Sequence, residues 1–244
     1  LTESRRPRGD IEIDLLQPVG RIEPITVDSA TITLMLGELA LNSGGVEKAE
    51  LFFSKIIESD EPIARAYSGL GDALRFQSLA GRDQEIARYF ELALEIAPEN
   101  PDILLDYGEY WESELQDCDK VYPSAQRQFL MDEIKLTFLK AIELRQDSAE
   151  AQLALAEYYL LEGQDWELGM PYQQRAFELL PGDGFIMEAS VKYAIAAQQF
   201  EEAERLIAEL SQPNHFFGEP DYVTALREQL MAKKRGEVYN ACSN

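Results

Sequence analysis

The chain has 244 residues, 45% of them hydrophobic, and a formal net charge of −23 with a pI near 4.3. That is enough apolar content for a sizeable core, while so much acid repels nucleic-acid phosphates and anionic headgroups, so no nucleic-acid or membrane-surface partner is expected. No apolar run approaches the ~18 residues needed to cross a bilayer, so no membrane insertion is expected either.

The opening "LTESRRPRGD" starts at Leu and leads into no apolar run of the secretory kind. It reads as the front of a piece of something longer or of a processed product. Residues 1–29 are expected to be an extended N-terminal segment or linker. "DIEID" alternates like a strand, but Pro18 and Pro24 break the pattern. The apolar stretches "IEIDLL" and "RIEPITV", with Arg5, Arg6, Arg8 and Arg21, predict that part of Ile11 to Val27 packs on the rest of the chain. The two cysteines, Cys118 and Cys242, make neither a metal-spaced pair nor a disulfide framework. A reducing compartment, the cytoplasm, is therefore expected, with the periplasm left open.

From residue 30 one phrase recurs: "FELALEIAPENPD" from Phe90, "FLKAIELRQDSAE" from Phe138 and "RAFELLPGDG" from Arg175. In the first, Phe90, Ala93, Leu94 and Ala97 fall at helical spacing, Pro98 stops the helix, and "ENPD" can cap the next. Leu36-Gly37 and Leu70-Gly71 stand 34 residues apart. Five units can be written, about 30–63, 64–100, 101–148, 149–183 and 184–217, within an array that runs to about 210. The first carries Leu36, Gly37, Ala49 and Phe53. The second carries Tyr67, Leu70, Gly71, Phe90, Ala93 and Pro98, with a short insertion around "FQSLAGRD". The third carries Leu104, Tyr107, Gly108, Phe138 and Ala141. The fourth carries Leu155, Ala156, Tyr159, Ala176 and Pro181. The fifth carries Tyr193, Ala203, Ile207 and Leu210, but Ser190-Val191 stands where Leu-Gly is expected.

This pattern resembles the tetratricopeptide repeat (TPR), a helix–turn–helix unit of 34 residues. The resemblance implies an all-α fold: a right-handed α-solenoid of about five helical hairpins. Residues 218–244 supply a C-terminal capping helix, "YVTALREQLMAKKR", and a tail. The third unit departs from the pattern. "ESELQDCDKVYPS" between Trp111 and Ala125 exceeds what the repeat needs, so either both helices lengthen or a partner-contacting loop protrudes. Ser124 is expected to cap a long helix from Ala125 to Leu144.

Little in the sequence points to catalysis. The single histidine, His215, sits in a loop after the last repeat with no nucleophile set around it. The Gly69-x-Gly71 pair falls inside a helix, where a dinucleotide fingerprint would need a preceding strand and a third glycine. No carboxylate pair is selected from the many, and Trp111 and Trp166 are better explained by packing. The chain is therefore expected not to be an enzyme and to need no cofactor or metal.

In proteins of this family the stacked first helices line a concave groove, and the resemblance places five positions of each repeat there. Transfer gives Thr31, Leu34, Glu38, Leu41 and Asn42; Arg65, Ser68, Asp72, Arg75 and Phe76; Asp102, Leu105, Glu109, Glu112 and Ser113; Glu150, Leu153, Glu157, Leu160 and Leu161; and Phe185, Glu188, Lys192, Ile195 and Ala196. Glu38, Asp72, Glu109 and Glu157 occupy the same repeat position, broken only by Lys192, with leucines between them. The Lys and Asn with which some members clamp a C-terminal carboxylate are missing. The expected partner is a protein or peptide that is basic and apolar. Two alternatives stay open: a C-terminal module that positions substrate for a larger enzyme, and a self-assembling, homo-oligomeric scaffold.

Overall fold

The structure is a computed structural model that describes residues 28–59, 62–77, 81–161, 165–212, 220–237 and 239. The expected extended segment up to Val27, His215 and Cys242 lie outside the described residues. Eleven helices run in chain order among the described residues: α1 (Ser29–Asn42), α2 (Val46–Ile57), α3 (Ala64–Phe76), α4 (Asp83–Ile96), α5 (Pro101–Gln116), α6 (Ser124–Leu144), α7 (Ala149–Leu160), α8 (Trp166–Leu179), α9 (Gly184–Ala196), α10 (Phe200–Leu210) and α11 (Pro220–Lys234). Among them, none is long and apolar enough to cross a membrane.

The helices start where short polar side chains can meet the orphan N–H groups of a first turn. Asp28 Oδ1 accepts from Thr31 N at 2.8 Å ahead of α1. Asn100 Oδ1 accepts from Asp102 N at 3.0 Å and Ile103 N at 3.3 Å, with Pro101 as the first residue of α5. Ser148 Oγ accepts from Ala151 N at 3.2 Å, and Asp183 Oδ1 from Phe185 N at 3.0 Å and Ile186 N at 3.1 Å. Ser124 does not act this way. It is already the first residue of α6, Pro123 stands at the cap, and no side chain caps that end. A residue in helical conformation cannot fold its side chain back onto the N–H groups ahead of it.

The helices pair α1–α2, α3–α4, α5–α6, α7–α8 and α9–α10, each second helix also packs on the next pair, and α11 closes on α9 and α10. The odd-numbered helices α1, α3, α5, α7 and α9 touch their successors, so they form one continuous inner layer of an α-solenoid. The glycines set the spacing of the layers. A Cβ on Gly37 or Gly69 would come within 2.5 Å of the Phe53 ring, one on Gly71 within 2.9 Å of Phe90, and one on Gly108 within 2.3 Å of Phe138. Each phenylalanine is fully buried, and the Gly-x-Gly of α3 serves two rings on two neighbouring outer helices. The fourth hairpin does without the aromatic. Gln173 stands three residues before Ala176, where the first three units have Phe, and its Nε2 donates to Ser190 Oγ at 2.6 Å. There Gly169 admits Tyr193, whose hydroxyl donates to Ala156 O at 2.7 Å.

The extra residues of the third unit lengthen both helices, and α6 reaches 21 residues. The connection between them folds back. Lys120 Nζ meets Glu114 at 2.6 Å and Asp83 at 2.9 Å, and Val121, 93% exposed, stands out as an apolar side chain. Cys118 in this connection is disulfide-bonded, which corrects the expectation that the cysteines make no disulfide. Wide spacing in sequence says nothing about proximity in a stacked fold. In α11, Val223, Leu226 and Leu230 complete a core with Val191, Leu206 and Leu210, while Lys233 and Lys234 end the helix where its dipole is negative.

Candidate functional site

The inner layer presents charged side chains at intervals set by the repeat. Arg65 on α3 reaches Glu38 on α1 at 3.3 Å and Asp106 on α5, tying three inner helices together. Arg75 donates to Asp72 at 2.9 Å on the same helix, and its guanidinium lies 4.6 Å from the centre of the exposed Phe76 ring. Lys192 on α9 meets Glu188 at 2.6 Å and Glu157 on α7 at 3.3 Å. Asp106 was not among the residues transferred from the repeat pattern. Its signal was available, since Asp102, Asp106 and Glu109 follow helical three-and-four spacing and share a face.

Between α5, α7 and α9 the layer opens into a cavity of about 330 Å³. Glu109 and Glu112 enter it from α5; Ala149, Glu150, Leu153, Ala154 and Glu157 from α7; Leu180, Asp183, Phe185 and Ile186 from the α8–α9 turn and the start of α9. Five carboxylates therefore line it, and no lining residue is basic. Glu112 is buried, at 7% exposure, and its Oε1 has no hydrogen-bond partner.

Burial disfavours the charged form of these acids, and their neighbours add to it. Burial pushes the Glu112 carboxyl up to about 8, with Glu157 and Glu109 raising it further and Lys192 opposing. Burial also pushes Glu109 up to about 7, with Asp106 adding and Arg75 opposing. Asp72, Asp106 and Glu188 are raised as well, desolvation again being the largest cause. For these five acids burial comes first, and neighbouring acids add to it.

The structure brings together six of the residues expected in the groove, Glu109, Glu112, Glu150, Leu153, Glu157 and Phe185, in this one cavity. It places Glu38, Asp72 and Lys192 in the ion-pair chain along the same layer. It does not gather the leucines into an exposed strip. Leu34 and Leu41 are half-buried against the core shared by the first two hairpins, Leu105 and Leu161 against that of the third and fourth, and Leu160 is half-buried too. Neighbouring inner helices abut, so a residue at such a position is claimed by the adjacent repeat. The residues missed at the cavity are Leu180 and Asp183, which come from the α8–α9 turn, and Ala149, Ala154 and Ile186, which stand on first helices but outside the transferred groove positions. Among the described residues no group of His, Cys, Asp or Glu side chains is arranged to hold a metal ion.

No protein-family model matches the sequence, and no curated protein does. Among solved structures, the chain is similar to a thermophilic TPR protein of Thermus thermophilus, at 14% identity over 85% of this chain and 100% of that one, with a TM-score of 0.64. It is also similar to YrrB, a TPR protein with an unusual peptide-binding site, at 20% identity over 84% and 92% of the two chains and a TM-score of 0.49. A MamA structure aligns at 13% identity over 87% and 97% of the two chains, with a TM-score of 0.48. The fold is that of the tetratricopeptide repeat.

Proposed function

We propose that this chain is a non-catalytic scaffold whose inner surface binds a protein segment carrying basic and apolar side chains. The observation that carries the reading is the charge imbalance of that surface. Seven acids, Glu38, Asp72, Asp106, Glu109, Glu112, Glu157 and Glu188, face it against three internal cations, Arg65, Arg75 and Lys192, and those that burial holds partly protonated ionise more fully as a cation approaches. A potential of one sign, focused in a groove with low-dielectric walls, attracts a partner of the other sign. Leu153 and Phe185 offer apolar contact beside the acids. Exposed ion pairs are each worth about 0–1 kcal/mol, so the acids choose the partner and set the approach while buried apolar contacts supply most of the affinity.

Calorimetric titration of a blocked peptide alternating leucine and lysine, against the same peptide with glutamate for lysine, tests the reading. The basic peptide is expected to bind, and to bind more weakly as salt is raised. Equal binding of the acidic peptide at low salt would overturn it. The reading also assigns the chain no turnover of its own. Saturable hydrolysis of any ester, glycoside or nucleotide, lost on mutating one pair of carboxylates, would contradict that part.

A further inference from the structure

We propose that the cavity between α5, α7 and α9 is an anchor pocket for one lysine or arginine side chain of the bound partner, with Glu112 and Glu109 meeting its charged head and Leu153 and Phe185 flanking its hydrocarbon stem. The proposal rests on the groove reading above and deepens it.

Two independent observations converge on the pocket. The first is its composition: carboxylates from two inner helices and an adjoining turn, and no cation among the lining residues. Lys192 is held instead by Glu157 and Glu188. The second is Glu112 itself. A carboxylate more than nine-tenths buried costs free energy unless it is paired, yet one of its oxygens has no partner and its side chain lines the empty space. In its ionised form that oxygen is satisfied only by a donor, and among these acids a cationic donor also offsets their charge. A metal ion fits poorly, because the carboxylates are not arranged to coordinate one. A long basic side chain fits better. Its methylenes lie on apolar walls while its head reaches the acids, as such side chains do when they bury their stems. Phe185, 54% exposed, stands on the wall through which the stem passes.

The titration behaviour agrees with this geometry. Glu112 and Glu109 are pushed up to about 8 and about 7. The charges acting on them are Arg75 from α3, Asp106 from α5, Glu150 and Glu157 from α7, and Lys192 from α9, while α6 meets α5 through the apolar Phe138. A cation entering the pocket favours the ionised acids, so binding releases protons near neutral pH and tightens as pH rises.

The test uses three probes on the whole chain: a blocked peptide with one lysine among leucines and alanines, the same peptide with norleucine for lysine, and free N-acetyl-lysine methylamide. Affinities are read by calorimetry at pH 8, and occupancy of the pocket by the NMR signal of the Ile186 methyl. The lysine peptide is expected to bind about tenfold or more tighter than the norleucine peptide, and Glu112→Gln is expected to abolish that difference. Should Glu112→Gln fail to fold, Glu109→Gln, which is half-buried, carries the same comparison. If both peptides bind the native chain alike, the groove reading stands and the anchor pocket is overturned. If neither binds, the groove reading fails and the anchor fails with it. If only N-acetyl-lysine methylamide shifts the Ile186 methyl, the cavity takes free amines, and its assignment to a partner's side chain is wrong.

Discussion

Gly108 and Phe138 make the tightest of the contacts between glycine and phenylalanine, and they show how opposing terms decide a substitution. Alanine in a helix interior is favoured over glycine by about 1 kcal/mol. Against that, a Cβ on Gly108 would lie 2.3 Å from a ring with no exposure, and overpacking of this kind costs about 1–3 kcal/mol or more. Gly108→Ala should therefore lower the denaturation midpoint, Gly71→Ala (2.9 Å from Phe90) should lower it less, and Phe138→Leu should lessen the effect of the Gly108 change. Additive effects of Gly108→Ala and Phe138→Leu would mean that the two side chains do not share one space. Glu112 gives a second prediction. Its carboxyl is raised from about 4.5 to about 8 on folding, so its contribution to stability is present in full below about pH 4.5 and lost as pH rises through about 8. Melting should occur at higher temperature at pH 5.5 than at pH 8.5, and Glu112→Gln should flatten that slope; an unchanged slope would place Glu112 in solvent. Gly71 and Gly108 were legible in the sequence because the repeat reserves a position for them. Gln173 and Gly169 were not, because the fourth hairpin replaces a ring by a hydrogen bond to Ser190 and admits Tyr193 from the next hairpin.

At the scale of the element, α11 carries out what its pattern promised. Leu226 and Leu230 are nearly inaccessible against Val191, Leu206 and Leu210. Leu226→Ala should cost about 2–5 kcal/mol, as buried leucines do. Val121→Ser, at a site 93% exposed, should stay within about 0.5 kcal/mol in either direction. Urea titration of both distinguishes a packed capping helix from a loosely attached one. The helices themselves were legible, because Pro98 and "ENPD" mark one end and the next start. The connection between α5 and α6 was harder to read, since Lys120 is held by Glu114, close in sequence, and by Asp83 on a different hairpin. Nothing local announces that second partner. The same limit hid the disulfide at Cys118.

For the whole molecule, the acids of the inner layer could be read from the repeat because each unit returns the same position to the same face. Whether the leucines between them face solvent depends on how closely successive inner helices pack, which the repeat spacing does not state; Leu34 and Leu105 turn partly into the cores. The account holds that charge on the inner face, rather than the total charge of −23, selects the partner. Two double charge reversals separate these ideas. Glu109→Lys with Glu157→Lys alters the inner layer, and Glu91→Lys with Glu95→Lys makes the same net change on the exposed surface of α4 in the outer layer. The measurement is the affinity of the leucine–lysine peptide and of its leucine–glutamate counterpart for each variant. The inner reversal should abolish the preference for the basic peptide, while the outer reversal should leave it nearly unchanged once salt screens long-range attraction. Equal loss from both reversals would contradict the account, because binding would then follow net charge and not the inner surface.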